Sequence, residues 1–127
     1  MAVSIDALLQ RARAHLERVE AADLDAALSA GAWLIDIRPE AQRRAEGAFP
    51  RAHILERNVL EWRLDPQSSA RITPGPTYDD LVIIACSAGY ASSLAAASLQ
   101  ALGFHRATDL AGGYQAWRDL RAEARSA

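Results

Sequence analysis

The chain has 127 residues, half of them hydrophobic, and a formal net charge of −2 at pH 7. This size and composition indicate one domain with a sizeable core, and the negative charge argues against a nucleic-acid partner or an anionic membrane surface. The single cysteine, Cys86, excludes an internal disulfide, a CxxC redox pair and a cysteine-based zinc cluster. We expect no signal peptide and no membrane-spanning segment, and a cytoplasmic location in which a lone thiol stays reduced.

Helical and strand patterns alternate along the chain. Ser4 can cap a first helix whose apolar stripe predicts a length up to about Arg18, and a short extended piece follows at residues 19–21. Further helices are predicted at residues 24–29, 40–46, 92–102 and 114–122, with a helical turn near 59–63. Strands are predicted at residues 32–37, 53–56, 81–85 and 107–110. Such alternation indicates an α/β domain with a mainly parallel sheet that helices cover on both faces.

The position of Cys86 is the most informative feature of the sequence. Cys86 ends the apolar run at residues 81–85 and precedes a short loop that contains Gly89, after which an Ala/Leu-rich helical pattern begins. This strand–loop–helix unit would place the thiol at the carboxyl end of a buried strand, where open α/β sheets bind their ligands. The unpaired N–H groups at the start of a helix bind anions and favour a thiolate. Cys86 is therefore predicted to be a nucleophile or a sulfur carrier, although a lone cysteine can also be an inert buried thiol.

Three segments, in this order, resemble the rhodanese (sulfurtransferase) family. They are Leu-Ile-Asp-Ile-Arg at residues 34–38, Cys-Ser-Ala-Gly-Tyr-Ala-Ser at 86–92 and Gly-Gly-Tyr-Gln-Ala-Trp at 112–117. The resemblance spans residues 17–120, with residues 1–16 as a preceding helix, and it implies a single rhodanese-like domain over residues 1–127. It also implies a five-stranded parallel sheet and a catalytic cysteine that becomes a persulfide within a cradling loop.

Two details refine this resemblance. Residues 56–66 and the Cys-Ser-Ala-Gly-Tyr segment are similar to a subgroup of single-domain actinobacterial rhodanese-like proteins. Active members of the family usually carry arginine directly after the cysteine and again at the fifth position after it, whereas this chain has Ser87 and Ala91 there. The resemblance therefore implies weak activity towards thiosulfate, which is a dianion.

The candidate site residues follow from the loop. Cys86 is the predicted catalytic residue, and backbone N–H groups would hold its persulfide. Gly89 is expected to adopt a positive φ or to allow a close backbone approach, and Ser92 and Ser93 are expected to cap the following helix. Tyr90 would stand at the rim. The residues of this anion-binding loop are Ser87, Ala88, Gly89, Tyr90, Ala91 and Ser92.

Charged residues outside the loop are candidates for supporting it. Asp36 and Arg38 follow a buried strand, and an ion pair is predicted at its end. Arg38, Arg57 or Arg63 could supply the charge that the loop lacks. The three histidines lack the spacing of metal ligands, so no metal is expected, and the proposed chemistry needs no cofactor.

Sulfur transfer through a Cys86 persulfide is the predicted function. The donor would be thiosulfate or a low-molecular-weight persulfide, and the acceptor a thiol, cyanide or a protein. A different class of protein remains open, namely a non-catalytic module that binds a protein partner through the loop and Tyr90. A cysteine phosphatase or arsenate reductase is a third alternative, but such chemistry requires an arginine that closes the loop. The sequence has no arginine between Arg71 and Arg106.

Overall fold

The fold is built on a parallel sheet. The computed structural model describes residues 1–126, and these form four strands: β1 (Trp33–Asp36), β2 (His53–Ile54), β3 (Val82–Ala85) and β4 (Thr108–Asp109). The strands pair in parallel in the order β2-β1-β3-β4, with Leu34 opposite Ile83 at the centre of the sheet. The predicted α/β architecture with a parallel sheet is confirmed.

Helices connect the strands and cover both faces of the sheet. They are α1 (Ile5–Arg13), α2 (Leu24–Ser29), α3 (Glu40–Glu46), α4 (Leu60–Leu64), α5 (Ala91–Leu102) and α6 (Gly113–Ser126), with 3-10 turns at Ala21–Asp23 and Arg57–Val59. Successive residues of β3 point to opposite faces. Val82 and Ile84 pack with Leu99 of α5, whereas Ile83 packs with Leu24 and Trp117 on the other face. Among residues 1–126, no helix is both long and apolar enough to span a membrane.

The fifth strand that the resemblance implied is absent from the described residues. Val19 forms only an isolated parallel bridge with Leu110 beyond β4, in which Val19 N–H donates to Asp109 O at 2.9 Å and Ala111 N–H donates to Val19 O at 2.8 Å. Because the chain enters a 3-10 turn at Ala21, Val19 is the single residue of this segment that pairs with the sheet. The expectation of five strands was wrong for this reason.

The first helix is also shorter than predicted. Ser4 caps it as expected, because its side chain accepts a hydrogen bond from Ala7 N–H at 3.0 Å, but the helix ends at Arg13 instead of Arg18. Leu16 N–H bonds to Arg13 O in a tighter turn, and the chain then becomes extended to reach β4. This early end turns the segment that carries Arg18 towards the edge of the sheet. Helices α2 and α3 have the predicted bounds.

Candidate active site

Cys86 lies directly after β3, at the carboxyl edge of the sheet. Its side chain is buried, with 8% of the residue exposed. Because all strands are parallel, Asp36 at the end of β1 and Asp109 at the end of β4 lie at the same edge. The sheet therefore brings one thiol and two carboxylates from distant parts of the sequence to one side of the molecule.

The loop after Cys86 brings a backbone N–H group to the sulfur. Gly89 N–H donates to Cys86 Sγ with an N–S distance of 3.3 Å. Gly89 has a φ of +87°, and a Cβ there would lie 2.8 Å from the backbone N of Gly112, so both conformation and space require glycine, as predicted. Within the described chain, five other loop N–H groups donate to no acceptor. These belong to Ser87, Ala88, Tyr90, Ala91 and Ser92.

The start of α6 packs closely against this loop. Tyr114 N–H donates to Cys86 O at 2.9 Å, and Gln115 N–H donates to Ser87 O at 3.1 Å. A Cβ on Gly113 would lie 2.5 Å from Cys86 O, so a side chain there would displace the loop. The Gly112-Gly113 turn thus supports the carbonyl side of the loop, which leaves its N–H groups facing the other way.

The side chain that follows the cysteine belongs to a partly buried hydrogen-bond network. Ser87 Oγ donates to Glu46 Oε2 at 2.6 Å and accepts from Gln115 Nε2 at 2.8 Å. The hydrogen bond from Ser87, together with the charge of Arg38, holds the pKa of Glu46 below its usual value. The Glu46 carboxylate is therefore hydrogen-bonded to Ser87, the residue that follows the candidate nucleophile Cys86.

Asp36 and Arg38 form the predicted ion pair. Arg38 Nη2 lies 2.7 Å from Asp36 Oδ2, and Arg38 Nη1 lies 3.1 Å from Glu46 Oε1, with the arginine side chain fully buried. The guanidinium also stacks over the ring of Tyr114, 4.2 Å from its centre. Burial by itself lowers the pKa of Arg38, but its hydrogen bonds and charge interactions with the two carboxylates outweigh burial and raise that pKa above its usual value. Arg38 is thus paired with Asp36 and Glu46. It is linked to the Cys86 loop indirectly, through the hydrogen bond between Glu46 and Ser87.

Arg57 takes part in a different interaction. Its Nη1 pairs with Glu61 Oε1 at 2.9 Å, and Ser98 of α5 donates to the same carboxylate at 2.6 Å. Burial raises the pKa of Glu61, but the Ser98 hydrogen bond and the Arg57 charge outweigh it and lower that pKa. Arg57 therefore ties α4 to α5, and among residues 1–126 it makes no hydrogen bond to the Cys86 loop.

Ser92 and Ser93 do not cap α5 with their side chains. Helix α5 begins after Tyr90 without a side-chain cap, and both serine hydroxyls donate instead to Asp109 Oδ2 at 2.7 Å. The expected role as caps was wrong because a buried carboxylate from β4 reaches both hydroxyls. Tyr90 stands at the rim, as predicted, with 63% of the residue exposed.

Two arginines that the sequence analysis did not single out bind the loop. Arg13 Nη2 donates to Gly89 O at 2.6 Å, and Arg18 Nη2 donates to the same oxygen at 2.9 Å. Arg18 also pairs with Asp109, with an Nε–Oδ1 distance of 2.8 Å. The placement of Asp109 within a predicted strand, close to its end, was the one signal in the sequence for this cluster. Nothing in the spacing of the arginines indicated that they would meet it.

Comparison with known proteins identifies the family. The family description "Rhodanese-like domain" matches residues 20–120, and no curated protein sequence matches the chain. The human single-domain sulfurtransferase TSTD1 is 26% identical, with a TM-score of 0.69 over 80% of this chain and 95% of that one. A rhodanese homologue from Thermus thermophilus is 25% identical, with a TM-score of 0.57 over 79% and 99% of the two chains. A protein of unknown function from Rhodopseudomonas palustris, described as a possible tyrosine phosphatase, is 29% identical, with a TM-score of 0.84 over 95% and 93%.

Proposed function

The chain belongs to the rhodanese-like domain family, and we propose that it is a sulfurtransferase or sulfur carrier that moves sulfane sulfur through a persulfide on Cys86. The observation that carries this proposal is the hydrogen bond from Gly89 N–H to Cys86 Sγ at 3.3 Å. It belongs to a loop in which five more N–H groups donate to no acceptor of the described chain. Backbone donors that converge on one point stabilise an anion that forms during a reaction, and we infer that the free N–H groups of this loop do so at the Cys86 sulfur.

The proposed cycle needs two nucleophilic displacements at sulfur. The Cys86 thiolate attacks the outer sulfur of the donor, so that a Cys86 S–S bond forms, the sulfur–sulfur bond of the donor breaks, and the electron pair leaves with the remainder of the donor. The leaving group would be sulfite when the donor is thiosulfate, and a thiolate when the donor is a thiol persulfide. An acceptor thiolate or cyanide then attacks the terminal sulfur of the Cys86 persulfide and regenerates the thiolate. Charge and electrons balance in both steps without a metal, an organic cofactor or an external oxidant.

The surroundings of the loop favour a thiol persulfide over thiosulfate as the donor. Ser87 is bonded to the Glu46 carboxylate, and Ala91 is exposed without any charge. A dianion would thus meet backbone N–H groups but no cation at these two positions, with a carboxylate close by. A donor of lower charge avoids this repulsion. We further propose a thiol or protein acceptor in the cytoplasm, where Cys86 stays reduced; membership of the actinobacterial subgroup stays a prediction.

Mass spectrometry of the Cys86 peptide tests the proposal. The protein is incubated with thiosulfate or with glutathione persulfide, desalted and digested, and Cys86→Ser serves as the control. We expect the peptide to gain one sulfur atom with glutathione persulfide, to gain much less with thiosulfate, and to lose that sulfur when cyanide is added. If neither donor adds sulfur, the sulfurtransferase proposal is wrong, and a module that binds a protein partner through exposed Tyr90 becomes the better interpretation.

Hydrolysis of a phosphate ester is a second candidate, favoured by the similarity to the Rhodopseudomonas palustris protein. Cysteine phosphatases bind phosphoryl oxygens with an arginine, and none occurs between Arg71 and Arg106. Arg13 and Arg18 already bind Gly89 O. The same preparation should therefore hydrolyse p-nitrophenyl phosphate no faster than Cys86→Ser, and hydrolysis that depends on Cys86 would favour the phosphatase.

A further inference from the structure

We propose that Arg13 and Arg18 are positioning residues, which hold the loop at residues 87–91 so that its N–H groups face the sulfur of Cys86. Both arginines precede residue 20, where the match to the rhodanese-like domain begins. The segment before the family domain would then be part of the active site. This inference rests on the proposed role of Cys86 as the nucleophile, but its test does not require sulfur transfer.

The first argument is that two guanidinium groups share one loop carbonyl. Gly89 O accepts from Arg13 Nη2 at 2.6 Å and from Arg18 Nη2 at 2.9 Å. Arg13 Nε also donates to Ser93 Oγ at 3.0 Å, and its guanidinium lies 5.5 Å from the centre of the Tyr90 ring. Arg13 thus contacts the loop at Gly89, at the rim residue and at the start of α5. A solvated surface arginine would not make such a set of contacts.

The second argument is that Asp109 holds the cluster in place. Asp109 is fully buried and binds Arg18 through two hydrogen bonds, from Nε to Oδ1 at 2.8 Å and from Nη2 to Oδ2 at 3.2 Å. Its Oδ2 also accepts from Ser92 and Ser93. A paired guanidinium and carboxylate have a fixed relative orientation. Because Asp109 ends β4, the sheet itself sets the position of Arg18 and, through it, of Gly89 O.

The consequence for the site follows from peptide geometry. The peptide between Gly89 and Tyr90 is trans, so its C=O and N–H point in opposite directions. Drawing Gly89 O towards the arginines therefore turns Tyr90 N–H away from them, and that N–H has no acceptor in the described chain. Hydrogen bonds to a carbonyl also polarise its peptide and strengthen the N–H as a donor. The arginines would act on an anion at Cys86 through this peptide, without touching the anion.

Alkylation of Cys86 by two reagents of similar shape tests this role. Iodoacetate is an anion and iodoacetamide is neutral, so the ratio of their rates reports how well the loop receives negative charge. We expect Arg13→Gln and Arg18→Gln each to lower this ratio, and the double variant to lower it by about fivefold, as for the weakening of one charge-assisted hydrogen bond. Arg11→Gln is the matched control, because Arg11 lies on the same helix and is exposed. Measurement at about 0.15 M salt screens the long-range effect of the lost charge.

A second comparison separates positioning from general damage to the fold. Arg13→Lys keeps a cationic donor and should retain more of the ratio than Arg13→Gln, while thermal melts of both variants stay close to wild type. A variant that loses its fold changes the alkylation rates of both reagents together, and its thermal melt differs from that of wild type. A loss of positioning lowers the rate with iodoacetate more than the rate with iodoacetamide. Arg13→Gln is the less disruptive single variant, because it keeps the pair of Arg18 and Asp109. The proposal is overturned if the double variant keeps the wild-type ratio, or if Arg11→Gln lowers it equally. Sulfur transfer is measured separately, so its absence would contradict the proposed function and leave the alkylation result intact.

Discussion

Replacing Gly89 with alanine should damage both the stability and the chemistry of this protein. Gly89 has a φ of +87° and Gly31 has a φ of +106°, but a Cβ on Gly31 meets nothing within 4 Å, whereas a Cβ on Gly89 lies 2.8 Å from Gly112 N. Gly31→Ala thus measures the cost of the backbone conformation alone. Gly89→Ala measures that cost together with a steric overlap that involves backbone and cannot be relieved by rotation of a side chain.

The expected magnitudes follow from these two contributions. A residue with a Cβ at a positive φ lowers the free energy of unfolding of the protein by about 1–2 kcal/mol, and this is the full effect expected for Gly31→Ala. The overlap at Gly112 adds about 1–3 kcal/mol, as overpacking does in a protein interior. If the loop moves to relieve the overlap, Gly89 N–H leaves Cys86 Sγ, and the yield of persulfide should fall by about tenfold.

Urea unfolding gives the stability of the two variants, and mass spectrometry of the Cys86 peptide gives the persulfide yield. Gly31→Ala should lose stability but keep the full yield, because Gly31 precedes β1 at the amino edge of the sheet, whereas Cys86 follows β3 at the opposite edge. The reasoning is refuted if Gly89→Ala unfolds at the same urea concentration as Gly31→Ala and also forms persulfide at the wild-type level.

Three further predictions concern the same network. Cys86→Ser should melt close to wild type and transfer no sulfur, because no second cysteine exists; transfer by this variant would assign the chemistry elsewhere. Ala91→Arg should raise kcat/KM for thiosulfate by about tenfold, as for one charge-assisted contact, whereas Ser87→Arg should raise it less because Glu46 would pair with the new cation; equal gains would contradict the network seen at Ser87. The pKa of Glu46 is lowered from 4.5 in the folded protein, so its contribution to stability is present above that value and is lost as the pH falls below it. Urea unfolding from neutral to acidic pH should show a smaller loss of stability for Glu46→Gln than for wild type, and parallel profiles would show that the carboxylate contributes nothing.

Much of the local structure was predictable because its determinants lie close together in the sequence. Helices α2 and α3 have the predicted bounds, since Pro39 ends the preceding strand and Gly31 and Gly47 allow the chain to leave each helix at a positive φ. The strand, loop and helix around Cys86 were predictable for the same reason. An apolar run, a glycine and an alanine-rich stretch each have a strong local preference.

The extent of the sheet was less predictable because strand length depends on neighbouring segments. Residues 19–21 were predicted to be extended, but only Val19 pairs, since the chain has to turn at both ends of this segment. Equally, the serines at the start of α5 have a strong local preference for capping. The buried carboxylate of Asp109 overrides that preference, because an unpaired buried charge would cost far more than an uncapped helix.

Local patterns therefore determined where the nucleophile candidate lies and which kind of loop follows it. The contacts that shape this loop arise between segments far apart in the chain. Ser87 meets Glu46 from 41 residues away, and Gly89 O meets Arg13 from 76 residues away. No periodicity or spacing encodes such pairs, since they depend on the direction in which each strand leaves the sheet and on which helix packs beside it. The charged groups around Cys86 were consequently a property of the folded chain, in which parallel strands bring Asp36, Cys86 and Asp109 to one edge.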